Sequence, residues 1–175
     1  MNLNFENSKV LLKGLKMSEF LYAVEREYPV SIETLWDAWT NAASLQAWYH
    51  PVDLSCVPGT VENHSEVDGI WSVSVDVPEH NFVAYFYGVY TEVKKHELMI
   101  HTMSYTQSKE EWEARDMSAP HHNVILNFED RGTKAWVKFS QFGEMPAEQI
   151  ELTKAGMESY FDSLGNFLLG SVNSA

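Results

Sequence analysis

The side chains with most capacity for chemistry here are seven histidines, one cysteine and a large excess of carboxylates. The run His96-Glu97-Leu98-Met99-Ile100-His101 comes nearest to a zinc-protease motif, but it is one residue too long for that spacing. It also falls at and within a strand, where positions five apart face opposite sides, so its two histidines do not converge on one ion. His121-His122 after Pro120 is an adjacent pair that diverges on an extended chain, and it reads as a surface turn. His101 offers something different. If Met99, Met103 and Tyr105 share its face and that face is concave, an imidazole stands inside an oily pocket, where such groups orient ligands or exchange protons. The competing reading, a core or outer-face histidine, stays open because strand parity does not say which face is inside. Cys56 is the only cysteine, which excludes an internal disulfide and reads as a small core residue in a reducing compartment. No phosphate-binding glycine loop, nucleophile elbow or paired-cysteine motif is present. The sequence therefore assigns no catalytic residue, no metal and no cofactor.

The element that must position these residues is the stretch from Ala147 to Leu169. Met157, Tyr160, Phe161, Leu164, Phe167 and Leu168 follow a helical period, with Glu158, Ser159, Asp162, Ser163 and Asn166 between them. One wall of a long helix is oily and the other wet, so the helix lies on something. Pro146 suits its first turn and Gly170 the position just past its end. Gly156 and Gly165 each cost about 1 kcal/mol of helix propensity and read as close-approach points.

What it lies on is a sheet. Phe20 to Tyr28 reads as a first strand ended by Pro29, and Ser31 caps a helix carrying Ile32, Leu35, Trp36 and Trp39. Asn41 breaks that helix, and a second runs from Ala42 to Tyr49 until Pro51. Three large aromatics, Trp36, Trp39 and Trp48, load these two short helices and are expected to plug one end of the sheet. The period then changes to two, with strands at Trp71–Val77, Phe82–Val93, Leu98–Tyr105, Val124–Phe128 and Thr133–Phe142. No useful helix separates them, so they join as antiparallel neighbours. Thr106 to Asn123 is a long connection with a short helix at Ser108–Asp116, whose only large apolar group is Trp112. Leaving that tryptophan in water forgoes about 2 kcal/mol, so it is expected to dock on the body, at the mouth of a cavity.

Composition limits the partners. Twenty-five carboxylates against twelve Lys and Arg give a net charge of −13, which disfavours nucleic acid and anionic membrane. An apolar share of 45% in 175 residues supports one globular core, with residues 1–18 as an N-terminal extension and 19–170 as a single domain. No run of about 18 apolar residues occurs, and a cytoplasmic location is expected. No strand reads as a long unprotected edge, and a monomer or small homodimer is expected.

With these elements placed, the chain resembles the activator-of-heat-shock-chaperone-ATPase-like family, a branch of the START-like helix-grip superfamily, over about residues 20 to 169. The resemblance rests on Pro29-Val30 leading to Leu35-Trp36-Asp37-Ala38, on Ser44-Leu45-Gln46-Ala47-Trp48-Tyr49-His50-Pro51, and on Gly69-Ile70-Trp71. It continues through Gly88-Val89-Tyr90-Thr91-Glu92-Val93, His96-Glu97-Leu98, Gly132-Thr133 and Gly143. It departs at Asp68-Gly69, where the family usually pairs two glycines, and at Gly156-Met157, where the family usually has Gly-Trp. The resemblance implies an α+β fold in which a curved antiparallel sheet grips the C-terminal helix, with an apolar cavity in the gap. On this reading a small apolar or aromatic ligand contacts Trp71, Val73, Val75, His101, Met103, Trp112, Val137, Phe139, Met157, Tyr160, Phe161 and Leu164. The same scaffold implies two other classes of function, a chaperone-facing interaction module and a cavity enzyme of the cyclase or hydratase type.

Overall fold

The computed structural model of the chain describes residues 19–173. The expected N-terminal extension, with Val10, Leu11, Leu12 and Leu15, lies outside them. The order of elements is β1 (Phe20–Tyr28), α1 (Ile32–Thr40), α2 (Ala42–Trp48), two short strands β2 (Ser55–Cys56) and β3 (Glu62–Asn63), then β4 (Ile70–Val77) and β5 (Phe82–Lys94). There follow β6 (Leu98–Thr106), α3 (Lys109–Ala114), β7 (His122–Asp130), β8 (Ala135–Phe142) and α4 (Ala147–Asn173). The described strands form one antiparallel sheet in the order β1-β8-β7-β6-β5-β4-β2, with β3 also on β4. The sheet curves around α4 as a helix grip.

Local chemistry explains the boundaries. Ser31 Oγ accepts the Thr34 N–H and Asn41 Oδ1 accepts the Ala43 N–H, so each short helix starts on a side-chain cap. Asp68 stands where the family favours glycine and adopts φ 66°, the left-handed region, while its N–H donates to the Tyr90 carbonyl. A bulge between Phe20 and Tyr22 turns Phe20 out to 46% exposure while Tyr22 and Val24 point inward. The terminal helix runs past Gly170, where an end was expected. The glycine lowers helix propensity there without terminating the helix.

The concave face carries the core. Tryptophans 36, 39 and 48 plug one end, as their density in two short helices suggests: Trp39 meets Trp48 at 4.6 Å between ring centroids and Phe161 at 6.0 Å, and Trp36 meets Phe128 at 5.0 Å. Trp48 Nε1 donates to the Ala38 carbonyl at 2.7 Å, so its one polar atom is satisfied. The convex face of β5 is covered too. Trp112 on α3 stacks on Tyr85 with centroids 5.2 Å apart, and the Arg115 guanidinium lies 4.4 Å over the indole. That cover explains why β5 is apolar on both faces.

Candidate functional site

At the other end of the grip the helix and sheet part. A cavity of about 890 Å³ lies between the first half of α4 and the sheet end formed by the start of β1, the ends of β6 and β8, and the start of β7. The size suits a drug-sized molecule. Its inner wall is aromatic and sulfur-rich, with Tyr22, Tyr49, Phe86, Met103, Met157 and Tyr160. Its rim is polar, with Glu19, Asn123, Glu144 and Gln149 among others.

The helix makes this space by a change in the residues facing inward. Phe161, Leu164 and Leu168 on the second half are fully buried. On the first half Gln149, Thr153, Gly156 and Met157 line the cavity instead. A Cβ added at Gly156 would meet nothing within 4 Å, so this glycine faces open space, contrary to the close approach expected of it. At Gly165 the expectation holds: a Cβ there would stand 3.3 Å from the Tyr28 ring. That approach lets the Tyr28 hydroxyl donate to the Phe161 carbonyl at 2.7 Å.

Of the residues expected to contact a ligand, Met103, Met157 and Tyr160 line this cavity. Seven others do not. Trp71, Val73, Val75, Val137, Phe139, Phe161 and Leu164 are 0–4% exposed and pack in the core. The strand residues sit on the concave face as parity requires, but Val137 and Phe139 lie toward the plugged end, and Trp71, Val73 and Val75 lie on β4, across β5 from the cavity. Trp112 is also displaced from its expected place. It docks on the body, as its hydrophobicity demands, but on the convex face against Tyr85 rather than at the cavity mouth. The long connection reaches the cavity through its last residues, Pro120 to Asn123.

His101 lies on the concave face with Met99, but inside the core. Its ring meets Trp71 at 4.7 Å and Tyr90 at 5.6 Å, and its Nδ1 is 2.9 Å from the Thr102 carbonyl. Burial pulls its pKa down to about 4, so the imidazole is neutral at pH 7. Trp71 Nε1 donates to the same Thr102 carbonyl at 3.0 Å, an approach that Gly88 permits, since a Cβ there would fall 2.0 Å from that oxygen. His96 sits at the β5–β6 turn with φ 66°, away from His101, and no group of three potential metal ligands occurs among the described residues. Cys56 is buried with its thiol donating to the Tyr49 carbonyl at 3.3 Å, and desolvation pushes its pKa up to about 12. A thiol held protonated in this way is a poor nucleophile.

The histidines that do reach the cavity are His121 and His122, read from sequence as a surface turn, and His122 is tied into the wall. Tyr22 donates to Gln141 Oε1 at 2.5 Å, and Gln141 Nε2 stands 2.7 Å from His122 Nδ1. His122 Nε2 stands 3.0 Å from the Glu144 carbonyl. Because the Gln141 oxygen is taken by Tyr22, its amide donates to Nδ1, and the imidazole carries its proton on Nε2 toward Glu144. Gly143, with φ 156°, leaves room for this ring, since a Cβ there would fall 2.3 Å from it. All four members of the chain line the cavity. No local signal marks these residues, because Tyr22, His122 and Gln141 stand on three strands that meet only in the sheet.

Solved structures share this architecture at low identity. A Silicibacter pomeroyi AHSA1 protein is 18% identical, with 86% of this chain and 98% of that one covered at a TM-score of 0.71. A Staphylococcus epidermidis protein is 21% identical, covering 90% and 94% at 0.70. A Nitrosomonas europaea protein is 16% identical, covering 90% and 99% at 0.69. Among curated proteins none matches. The model of the family "Activator of Hsp90 ATPase homolog 1-like protein" matches residues 29–168, and the chain belongs to that family.

Proposed function

We propose that the protein binds a small apolar or aromatic molecule in the cavity between the first half of α4 and the sheet. The observation that carries this reading is the wall itself: an 890 Å³ space lined by tyrosines, Phe86 and methionines, beside a core whose side chains are buried from solvent. Methionine suits such a wall because its flexible thioether adapts to ligand shape. Native mass spectrometry of the purified chain tests the reading by showing what small molecule travels with it. An environment-sensitive apolar dye gives a second test. It should bind with one-to-one stoichiometry, and Met157→Trp should weaken it about tenfold by filling the space while the fold is kept. A dye that fails to saturate, or one that is indifferent to Met157→Trp, removes the cavity as the binding site.

The family's name supports a second reading, in which an outer face engages a chaperone and raises its ATPase rate. On that reading the rate enhancement is untouched by Met157→Trp. Membership of this family is also compatible with chemistry in the cavity, but neither His101, sealed in the core, nor Cys56, held as a thiol, supplies an accessible group for it.

A further inference from the structure

Four phenols line the cavity, and they are not equivalent: Tyr105 stands at the exposed rim, 53% exposed, and accepts a hydrogen bond from Gln107 Nε2 at 2.8 Å. Tyr22 spends its proton on Gln141. Tyr49 and Tyr160, whose rings meet edge to face with centroids 5.1 Å apart, have no hydrogen-bond partner for their hydroxyls among the described residues. Both line the cavity, and Tyr49 is only 5% exposed. Neither hydroxyl belongs to the orphan atoms sealed inside the protein, which are Trp39 Nε1, Ser74 Oγ, Trp112 Nε1 and Arg115 Nη1. The two phenol oxygens therefore open onto the cavity. A buried Tyr hydroxyl normally finds a partner, and here the empty space is where the partner would be.

The charge of the wall narrows the choice. No Lys or Arg is among the described residues that line the cavity, while Glu19 and Glu144 are. A carboxylate or phosphate entering it would lose water, meet no Lys or Arg among the described residues and face two carboxylates. Desolvation raises both phenols above their ordinary value, so each keeps its proton and acts as a donor at neutral pH.

We infer that the ligand is an uncharged ring compound bearing a carbonyl oxygen, and that this oxygen accepts hydrogen bonds from Tyr49 and Tyr160. The two lone pairs of a carbonyl match two donors. A bare hydrocarbon would fill the space and leave both donors unpaired. This rests on the ligand-binding reading above and adds the ligand's class.

The test uses three probes on one ring frame: fluorenone, fluorene and fluorene-9-carboxylate, each titrated calorimetrically. Fluorenone should bind at least about tenfold more tightly than fluorene, since each neutral hydrogen bond gained is worth roughly a fewfold to tenfold in affinity, and the carboxylate should bind weakest. The Tyr49→Phe/Tyr160→Phe double variant keeps both rings and should abolish the preference, so that fluorenone and fluorene bind it about equally. The infrared carbonyl band of bound fluorenone should lie lower in the wild-type protein than in the variant. The wild-type preference and band position stand without the variant, so a folding defect in it does not blunt the test. Equal wild-type affinity for fluorenone and fluorene, preference for the carboxylate, or a preference that survives the double substitution would overturn the inference and leave cavity binding intact. Failure of all three probes to bind would overturn both.

Discussion

The two halves of α4 share one helical period and face one sheet, yet one half grips and the other stands off. On the second half Phe161, Leu164 and Leu168 are fully buried against the tryptophan plug. From Glu158 onward the helix is also tied down. Arg26 reaches Glu158 at 2.7 Å and Asp162 at 2.6 Å, Tyr28 donates to the Phe161 carbonyl, and the Val52 N–H donates to Ser159 Oγ at 3.0 Å. The first half presents Gln149, Thr153, Gly156 and Met157 to the cavity. From Ala147 to Met157 the one side-chain hydrogen bond among the described residues is from Thr153 to Met145 sulfur, just before the helix. The difference teaches that periodicity sets which face of an element turns inward, while side-chain volume along that face sets whether the interior there is core or cavity.

The largest effect should separate two adjacent residues. Phe161 is packed on every side, so Phe161→Ala should cost about 3–5 kcal/mol of stability, through lost transfer energy and the void left behind. Tyr160 faces the cavity with part of its surface, where it has no packed neighbours to lose, so Tyr160→Ala should cost about half as much or less. Urea unfolding at unchanged slope measures both. Equal losses would mean that the cavity is closed in solution and the two halves are alike.

A pH dependence sharpens the same contrast at His101, which belongs to the packed region. Its folded pKa is lowered from 6.5 to about 4, and the groups against its ring, Trp71 and Tyr90, are neutral at these pH values. Above about pH 6.5 both folded and unfolded chains hold the ring neutral, and its contribution is complete. As pH falls from 6.5 toward 4 the unfolded chain takes up a proton that the folded one resists. Stability then drops by up to ~1.4 kcal/mol per pH unit, about 3 kcal/mol in all. His101→Phe should remove this component, so its stability relative to the wild type should rise by that amount between neutral and acid pH. The carboxylates cancel in the comparison. Parallel curves for wild type and variant would place His101 in contact with water, and the packed region would be smaller than described.

The fold was legible because its signals are periodic and local: the stripe on α4, the alternation in β4, and the caps at Ser31 and Asn41. The tryptophan plug was legible too, from the load that Trp36, Trp39 and Trp48 place on two short helices. The cavity wall was legible only in part. Strand parity put Val73, Val75, Val137 and Phe139 on the correct face, but it carries no information on which strands and which part of the helix border the gap, and these divide wall from core. His122 escaped because its role depends on Gln141 and Tyr22, far apart in sequence and adjacent only across the sheet. Trp112 was correctly drawn to the body by its hydrophobicity, but nothing in a single chain says which side of a sheet a connection crosses.

The smallest effect is the most discriminating, because it uses one substitution at two positions on one helix. Replacing glycine by alanine inside a helix gains up to about 1 kcal/mol, from better propensity and a less flexible unfolded chain. At Gly156 nothing stands within 4 Å of the new methyl group, so Gly156→Ala should realise that gain as a higher urea midpoint. At Gly165 the same methyl group would stand 3.3 Å from Tyr28, tighter than ordinary contact. The Tyr28 ring is held by its hydrogen bond to the Phe161 carbonyl and cannot retreat without weakening it. Gly165→Ala should therefore return little or none of the gain, or lose stability. Pairing each change with Tyr28→Phe makes the cause visible. Removing the hydroxyl frees the ring to shift, so Gly165→Ala should become more favourable in that background while Gly156→Ala stays the same. If both glycines gave equal gains in both backgrounds, the second half of α4 would be no more closely packed than the first.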